Sequence, residues 1–178
     1  MSDTQKRLWR GNGFVDDEWR TMETADGVDH GGEGDLIVPL RLLQEAGEPL
    51  LAQRSGRIGV RLEADDAVTE LEPFLDRLSL VALAFPAFTD GRAYSKAVRL
   101  RQQYGFAGEI RAVGDVLLDQ LAFMQRCGFD ALEVSHDATA ERLAEGGVPA
   151  IERHYQPAQD QAPANPIYSW RRNSASVA

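Results

Sequence analysis

The sequence predicts an α/β protein of about five strand–helix units around an open, mainly parallel, three-layer sheet. Three observations carry that prediction. Short β-rich apolar runs recur at 36–39, 58–62, 80–85, 109–113 and 131–134. Each is followed by a segment with helical periodicity. The step from one run to the next, roughly 20–30 residues, suits βα units and a parallel sheet.

Leu8-Trp9-Arg10 and Phe14-Val15 flank Gly11-Asn12-Gly13, two β-rich pieces around a primed turn, and so form a hairpin. The Gly- and Asp-rich stretch 24–35 reads as a flexible loop, which makes 1–35 an N-terminal segment ahead of an α/β domain at 36–150. Run 80–85, Leu-Val-Ala-Leu-Ala-Phe, is apolar on both faces, as a central parallel strand should be. Ala93, Ala97, Leu100 and Tyr104 make one apolar helical stripe that Gly105 ends. Asp115 is placed to N-cap the next helix, with Leu117, Leu121 and Met124 on its apolar side and Gly128 after its end. Periodicity is lost after Pro149, and 151–178, rich in Pro, Ala, Gln, Asn and Ser, reads as a largely disordered tail. Tyr168 and Trp170 give that tail two aromatics able to dock on the protein itself or on a partner. Five units also allow a partial or dimer-completed TIM-like barrel, but they are too few to close one. Either architecture places ligands at the carboxyl ends of its strands.

Composition narrows the functions. The chain has 178 residues, about one domain. No run approaches the ~18 apolar residues of a membrane helix. The opening Met-Ser-Asp-Thr-Gln-Lys-Arg leads into no apolar segment, so the expected location is the cytoplasm. A net charge of −9 argues against nucleic acid and anionic membranes, both of which need positive surface. The single Cys127 excludes an intramolecular disulfide and an all-Cys metal site. His30, His136 and His154 fall in no HxH or HxxxH pair, so no metal is expected. Cys127 ends a helix, where the dipole disfavours a thiolate, and reads as a core residue. No GxGxxG after a strand, GxxxxGK, GxSxG or HExxH occurs, and no cofactor is identified.

Two clusters carry candidate chemistry. Thr89-Asp90-Gly91-Arg92-Ala93-Tyr94-Ser95-Lys96 follows the most buried strand and opens a helix, where backbone N–H groups favour an anion. Arg92, Lys96 and Arg99 share one helix face. Together with Arg101 and Arg111 they set five cations against two acids between residues 89 and 111 of an otherwise acidic chain. Arg92, Ser95, Lys96, Arg99 and Arg111 are the candidate anion ligands. In the second cluster, Arg111 to Asp119, Asp115 and Asp119 lie one helical turn apart. Asp90 and Asp115 are the candidate acid–base groups. The plainer reading of these charges is a cap and a salt bridge, Arg111–Asp119 or Arg92–Asp115.

The series Phe88-Thr89-Asp90-Gly91-Arg92, Gly108-Glu109-Ile110-Arg111-Ala112-Val113-Gly114-Asp115 and Arg126-Cys127-Gly128-Phe129 resembles domain-of-unknown-function family 934, bacterial proteins encoded beside assimilatory sulfite reductase. The resemblance spans roughly residues 35–135 and brings no assigned catalytic residues. It implies a role in sulfur assimilation, described loosely as oxidoreductase-like. Three readings stay open. The first is an accessory protein that binds sulfite reductase or another sulfate-assimilation enzyme. The second is a small enzyme acting on a sulfur oxyanion or phosphosulfate. The third is a non-catalytic structural domain. A homodimer is the default assembly.

Overall fold

The computed structural model describes residues 7–11, 13–22 and 33–146. Most of the expected loop at 24–35, and the tail with Tyr168 and Trp170, lie outside the described residues. All five apolar runs are strands: β4 (Leu36–Pro39), β5 (Ile58–Leu62), β6 (Leu80–Phe85), β7 (Glu109–Gly114) and β8 (Ala131–Val134). Before them come β1 (Arg7–Arg10), β2 (Gly13–Val15) and β3 (Arg20–Thr21). The β1–β2 hairpin forms as expected, pairing Trp9 with Phe14 and turning at Gly11, whose φ of 61° is the left-handed conformation a primed turn requires.

The strands form one sheet in the order β2-β1-β8-β7-β6-β5-β4-β3. From β3 to β8 every neighbour is the next strand in sequence and every pairing is parallel; β1 then adds antiparallel to β8, and β2 forms the edge antiparallel to β1. The protein is therefore mixed α/β and mostly parallel, and its sheet curls into a half-barrel. The three-layer arrangement does not form, for a topological reason. A doubly wound sheet reverses its strand order, and that reversal sends helices to the second face. Here the order never reverses, so right-handed crossovers all fall on one side.

Four helices cover that side: α1 (Leu40–Gln53), α2 (Arg92–Gln102), α3 (Leu121–Cys127) and α4 (Asp137–Ala144). Their buried residues join Val60, Val81, Leu83, Phe85, Ile110, Ala112, Leu132 and Trp9 in one core. The expected stripe of α2 is buried at Ala93, Ala97 and Leu100, and the N–H of Phe106 closes back on Leu100 O at 2.9 Å. The segment between β5 and β6 departs from the helical expectation. It makes two 3₁₀ turns, Val68–Leu71 and Leu75–Arg77, because Pro73 between them lacks an N–H and interrupts a helical ladder. Asp115 caps no helix. A 3₁₀ turn, Leu118–Gln120, intervenes, and α3 begins only at Leu121. Among the described residues no helix is long and apolar enough to cross a membrane.

Candidate functional site

The alternation of the strands sends a second set of side chains to the helix-free, inner face of the half-barrel. Its apolar part is small: Trp19, Ile37, Leu80, Ala82, Ala84 and Val113. Two arginines join it. Parallel register aligns Arg61 of β5 with Ala82 of β6, and Ala82 with Arg111 of β7, so the arginines flank one alanine on a single row. Arg111 leans toward the amino ends of the strands and Arg61 lines a cavity at the carboxyl ends.

The amino end is filled. The segment after β2 crosses it, and Trp19 packs over Gly59, where an added Cβ would stand 3.2 Å from the indole and 3.1 Å from Leu80 Cβ. Arg111 is 1% exposed. It donates from Nη1 to Asp17 Oδ2 at 2.7 Å and from Nε to Glu109 Oε1 at 2.9 Å, and Glu109 also takes Arg10. Arg57 pairs with Asp35 and stacks on Trp19 with its guanidinium carbon 5.1 Å from the ring centroid. A depression of ≈ 340 Å³ remains there, but its arginines are answered by acids of the same region.

The carboxyl end is open. Thr21, Ile37 and Arg61 on one side and Glu133, Ser135, His136 and Asp115 on the other enclose a cavity of ≈ 350 Å³ floored by Ala82, Val113 and Gly114. Asp115 and His136 each follow the end of a neighbouring parallel strand, β7 and β8. His136 Nε2 lies 2.9 Å from Asp115 Oδ1. The other carboxylate oxygen accepts the N–H of Phe88 at 2.9 Å. The hydrogen bonds from His136 and Phe88 hold the Asp115 pKa below its ordinary value. Gly114 makes this approach possible. Its φ is 99°, and a Cβ would stand 2.4 Å from Phe85 O, where the Asp115 N–H instead donates at 2.9 Å. Arg61 Nε approaches Glu63 Oε1 to 2.8 Å at an angle that makes no hydrogen bond.

The α2 cluster is folded in on itself. Arg92 donates to both oxygens of Asp90, at 2.6 Å from Nη2, and to Asp65. That guanidinium lowers the Asp90 pKa to about 2, so Asp90 is a fixed anion and a poor base. Ser95 Oγ donates to Arg92 O at 2.9 Å. Lys96 Nζ donates to the carbonyls of Glu63 and Ala64, at 2.5 and 2.9 Å, and burial lowers its pKa. Arg99 bonds Gln103 at 3.2 Å on the exposed face of α2. The structure thus gathers Asp90, Arg92, Ser95 and Lys96, holds Asp115 at the half-barrel mouth, and takes Arg111 to the other end. Neither expected salt bridge forms: Arg92 goes to Asp90 and Asp65, and Arg111 to Asp17 and Glu109.

Sequence reasoning missed Arg61 and His136. The usable signal was position, since Arg61 lies in a predicted strand and His136, like Asp115, comes just after one. Cys127 is buried, and burial pushes its thiol up in pKa. Tyr94, in an aromatic cluster with Phe85, Phe123 and Phe129, is pushed up to about 12 by burial. Among the described residues no three His, Cys, Asp or Glu side chains gather to hold a metal ion.

These features define a class: a βα half-barrel with a small polar cavity at the carboxyl ends of its strands. The sequence from 59 to 167, more than half of the chain, matches DUF934, a family of bacterial proteins of unknown function, and the chain belongs to that family. Arg61, Phe88, Asp115 and His136 all lie inside the matched segment, whereas Asp17 and Trp19 lie outside it. No curated protein matches the chain.

Proposed function

We propose that the chain is a cytoplasmic accessory protein of assimilatory sulfite reduction that docks on the sulfite-reducing enzyme through the carboxyl edge of the half-barrel. The observation that carries the docking is Phe88. The residue is 52% exposed. Yet its N–H is held by Asp115 at 2.9 Å and its C=O accepts from Gln120 Nε2 at 2.7 Å. An exposed large apolar residue whose backbone is held at both N–H and C=O needs little loop ordering on association and suits an anchor at a protein interface. The sulfur context rests on the sequence resemblance. The engaged state of Arg92 and Lys96 weighs against an oxyanion enzyme built on α2. The test is size-exclusion chromatography of the purified chain with sulfite reductase at micromolar concentration. Co-elution lost in Phe88→Asp is expected, and an unchanged elution of the wild-type mixture contradicts the proposal.

The Asp115–His136 pair favours a second reading, a small enzyme acting on a sulfur oxyanion. A carboxylate that orients an imidazole equips it for proton transfer. Turnover of sulfite or a phosphosulfate that is abolished in His136→Gln and kept in Phe88→Asp would select this reading over docking.

A further inference from the structure

The carboxyl-end cavity has a polarity that docking through Phe88 does not use. Its β5 side carries Arg61, whose Nε also approaches Glu63. Its β7–β8 side is lined by Glu133, Ser135 and Asp115, the last carrying His136. The floor between the two sides is apolar and short-chained: Ala82, Val113 and Gly114. The two sides differ in sign. A simple oxyanion satisfies Arg61 and faces carboxylates opposite; a simple cation does the reverse. A molecule with an anionic group at one end and a hydrogen-bond donor at the other meets both sides.

Arg61 is suited to the anionic end. Its side chain is 32% exposed, so it is reachable, and its nearest carboxylate, Glu63, is 55% exposed. Exposed pairs of this kind contribute little and exchange readily for a ligand group. A guanidinium also offers the paired donors that carboxylate, sulfonate and phosphate groups accept. The acidic side is held in place: one Asp115 oxygen is taken by the Phe88 N–H and the other faces His136, which leaves the ring's Nδ1 without a hydrogen bond among the described residues. A cavity of ≈ 350 Å³ admits a molecule of amino-acid size.

We infer that this cavity binds a small bipolar metabolite, its carboxylate or sulfonate on Arg61 and its ammonium or hydroxyl against the Asp115–His136 pair. The inference is independent of the docking reading, since its test needs no partner protein. The full chain is titrated by calorimetry and ligand-observed NMR with the proteinogenic amino acids and taurine. Sulfate, phosphate and ethylammonium serve as single-charge controls. At least one bipolar probe is expected to bind about tenfold tighter than every control, the difference one additional charge-assisted contact supplies. Arg61→Gln should remove that preference, Arg61→Lys should retain part of it, and Arg99→Gln, on the exposed face of α2, should leave it unchanged. Circular dichroism establishes that each variant is folded. Binding of sulfate or phosphate as tight as any bipolar probe overturns the inference. So does indifference to Arg61→Gln in a folded protein, or a complete absence of binding at millimolar concentration.

Discussion

Arg61 and Arg111 stand on the same row of the same sheet face, two strands apart, and the protein puts them to opposite uses. Arg111 is 1% exposed and held by two carboxylates, one of them contributed 94 residues away by the segment that plugs the amino end. Arg61 lines an open cavity beside one exposed carboxylate. What separates them is the end of the strands toward which each side chain leans. The amino end of the half-barrel is sealed by Trp19 and spent on stability, while the carboxyl end is left hollow by Ala82 and Gly114. Closed βα barrels divide their labour in the same direction. The proposed function gives this half-barrel the same division across its parallel strands β3 to β8.

The largest effect expected from this contrast is at the sealed end. Arg111→Met should lower stability by about 3 kcal/mol in urea denaturation, the low end for a broken buried ion pair. The low end applies because Asp17 can turn to water and Glu109 keeps Arg10. A loss below about 0.5 kcal/mol, as for an ordinary surface change, would break the comparison.

Next comes the mouth of the cavity. Gly114→Ala places a Cβ against Phe85 O in a left-handed conformation and should cost about 2 kcal/mol. The accompanying signal is displacement of Asp115 from Phe88 and His136, visible as a change in the His136 ring resonances in NMR spectra.

The smallest effect is on acid sensitivity. Hydrogen bonds to Arg92 depress the Asp90 pKa from 3.8 to about 2, and those to His136 and Phe88 depress that of Asp115. A folded pKa below the unfolded one gives stability that is present above about pH 4 and lost as the pH falls through the folded value. For Asp90 the loss therefore runs from pH 3.8 down to about 2. Asp90→Asn should flatten that stretch of the stability–pH curve and leave the curve above pH 5 parallel to wild type. An unchanged acid limb would mean that the Arg92 pair contributes nothing to folding.

Much of the fold was legible in the sequence because strand content is a local property. The both-face apolar run of β6, the stripe of α2 and the Gly11 turn each announce themselves within about ten residues. Strand order is not local. The same five runs serve a doubly wound sheet or a half-barrel, and only the pairing of each strand with its sequence neighbour decides. Pro73 was the readable warning that the β5–β6 connection would not be a regular helix. The site was less legible. Arg111 and Asp17 meet across the whole domain, and the basic face of α2, conspicuous as a charge cluster, is occupied by Asp90, Asp65 and two backbone carbonyls. His136 was discounted because it has no histidine neighbour, although its partner is a carboxylate after the adjacent strand.

In the proposed division the carboxyl end carries the function and the amino end the stability. The most direct measurement is growth on sulfate of a strain deleted for this gene and complemented with Arg61→Gln. That substitution, on a side chain 32% exposed, should shift stability by no more than about 1 kcal/mol. The deletion strain is expected to fail on sulfate and on sulfite and to recover on sulfide, and Arg61→Gln, though folded and present at wild-type level, is expected not to restore growth. Full complementation by Arg61→Gln, or equal growth of the deletion strain on all three sulfur sources, would contradict that division.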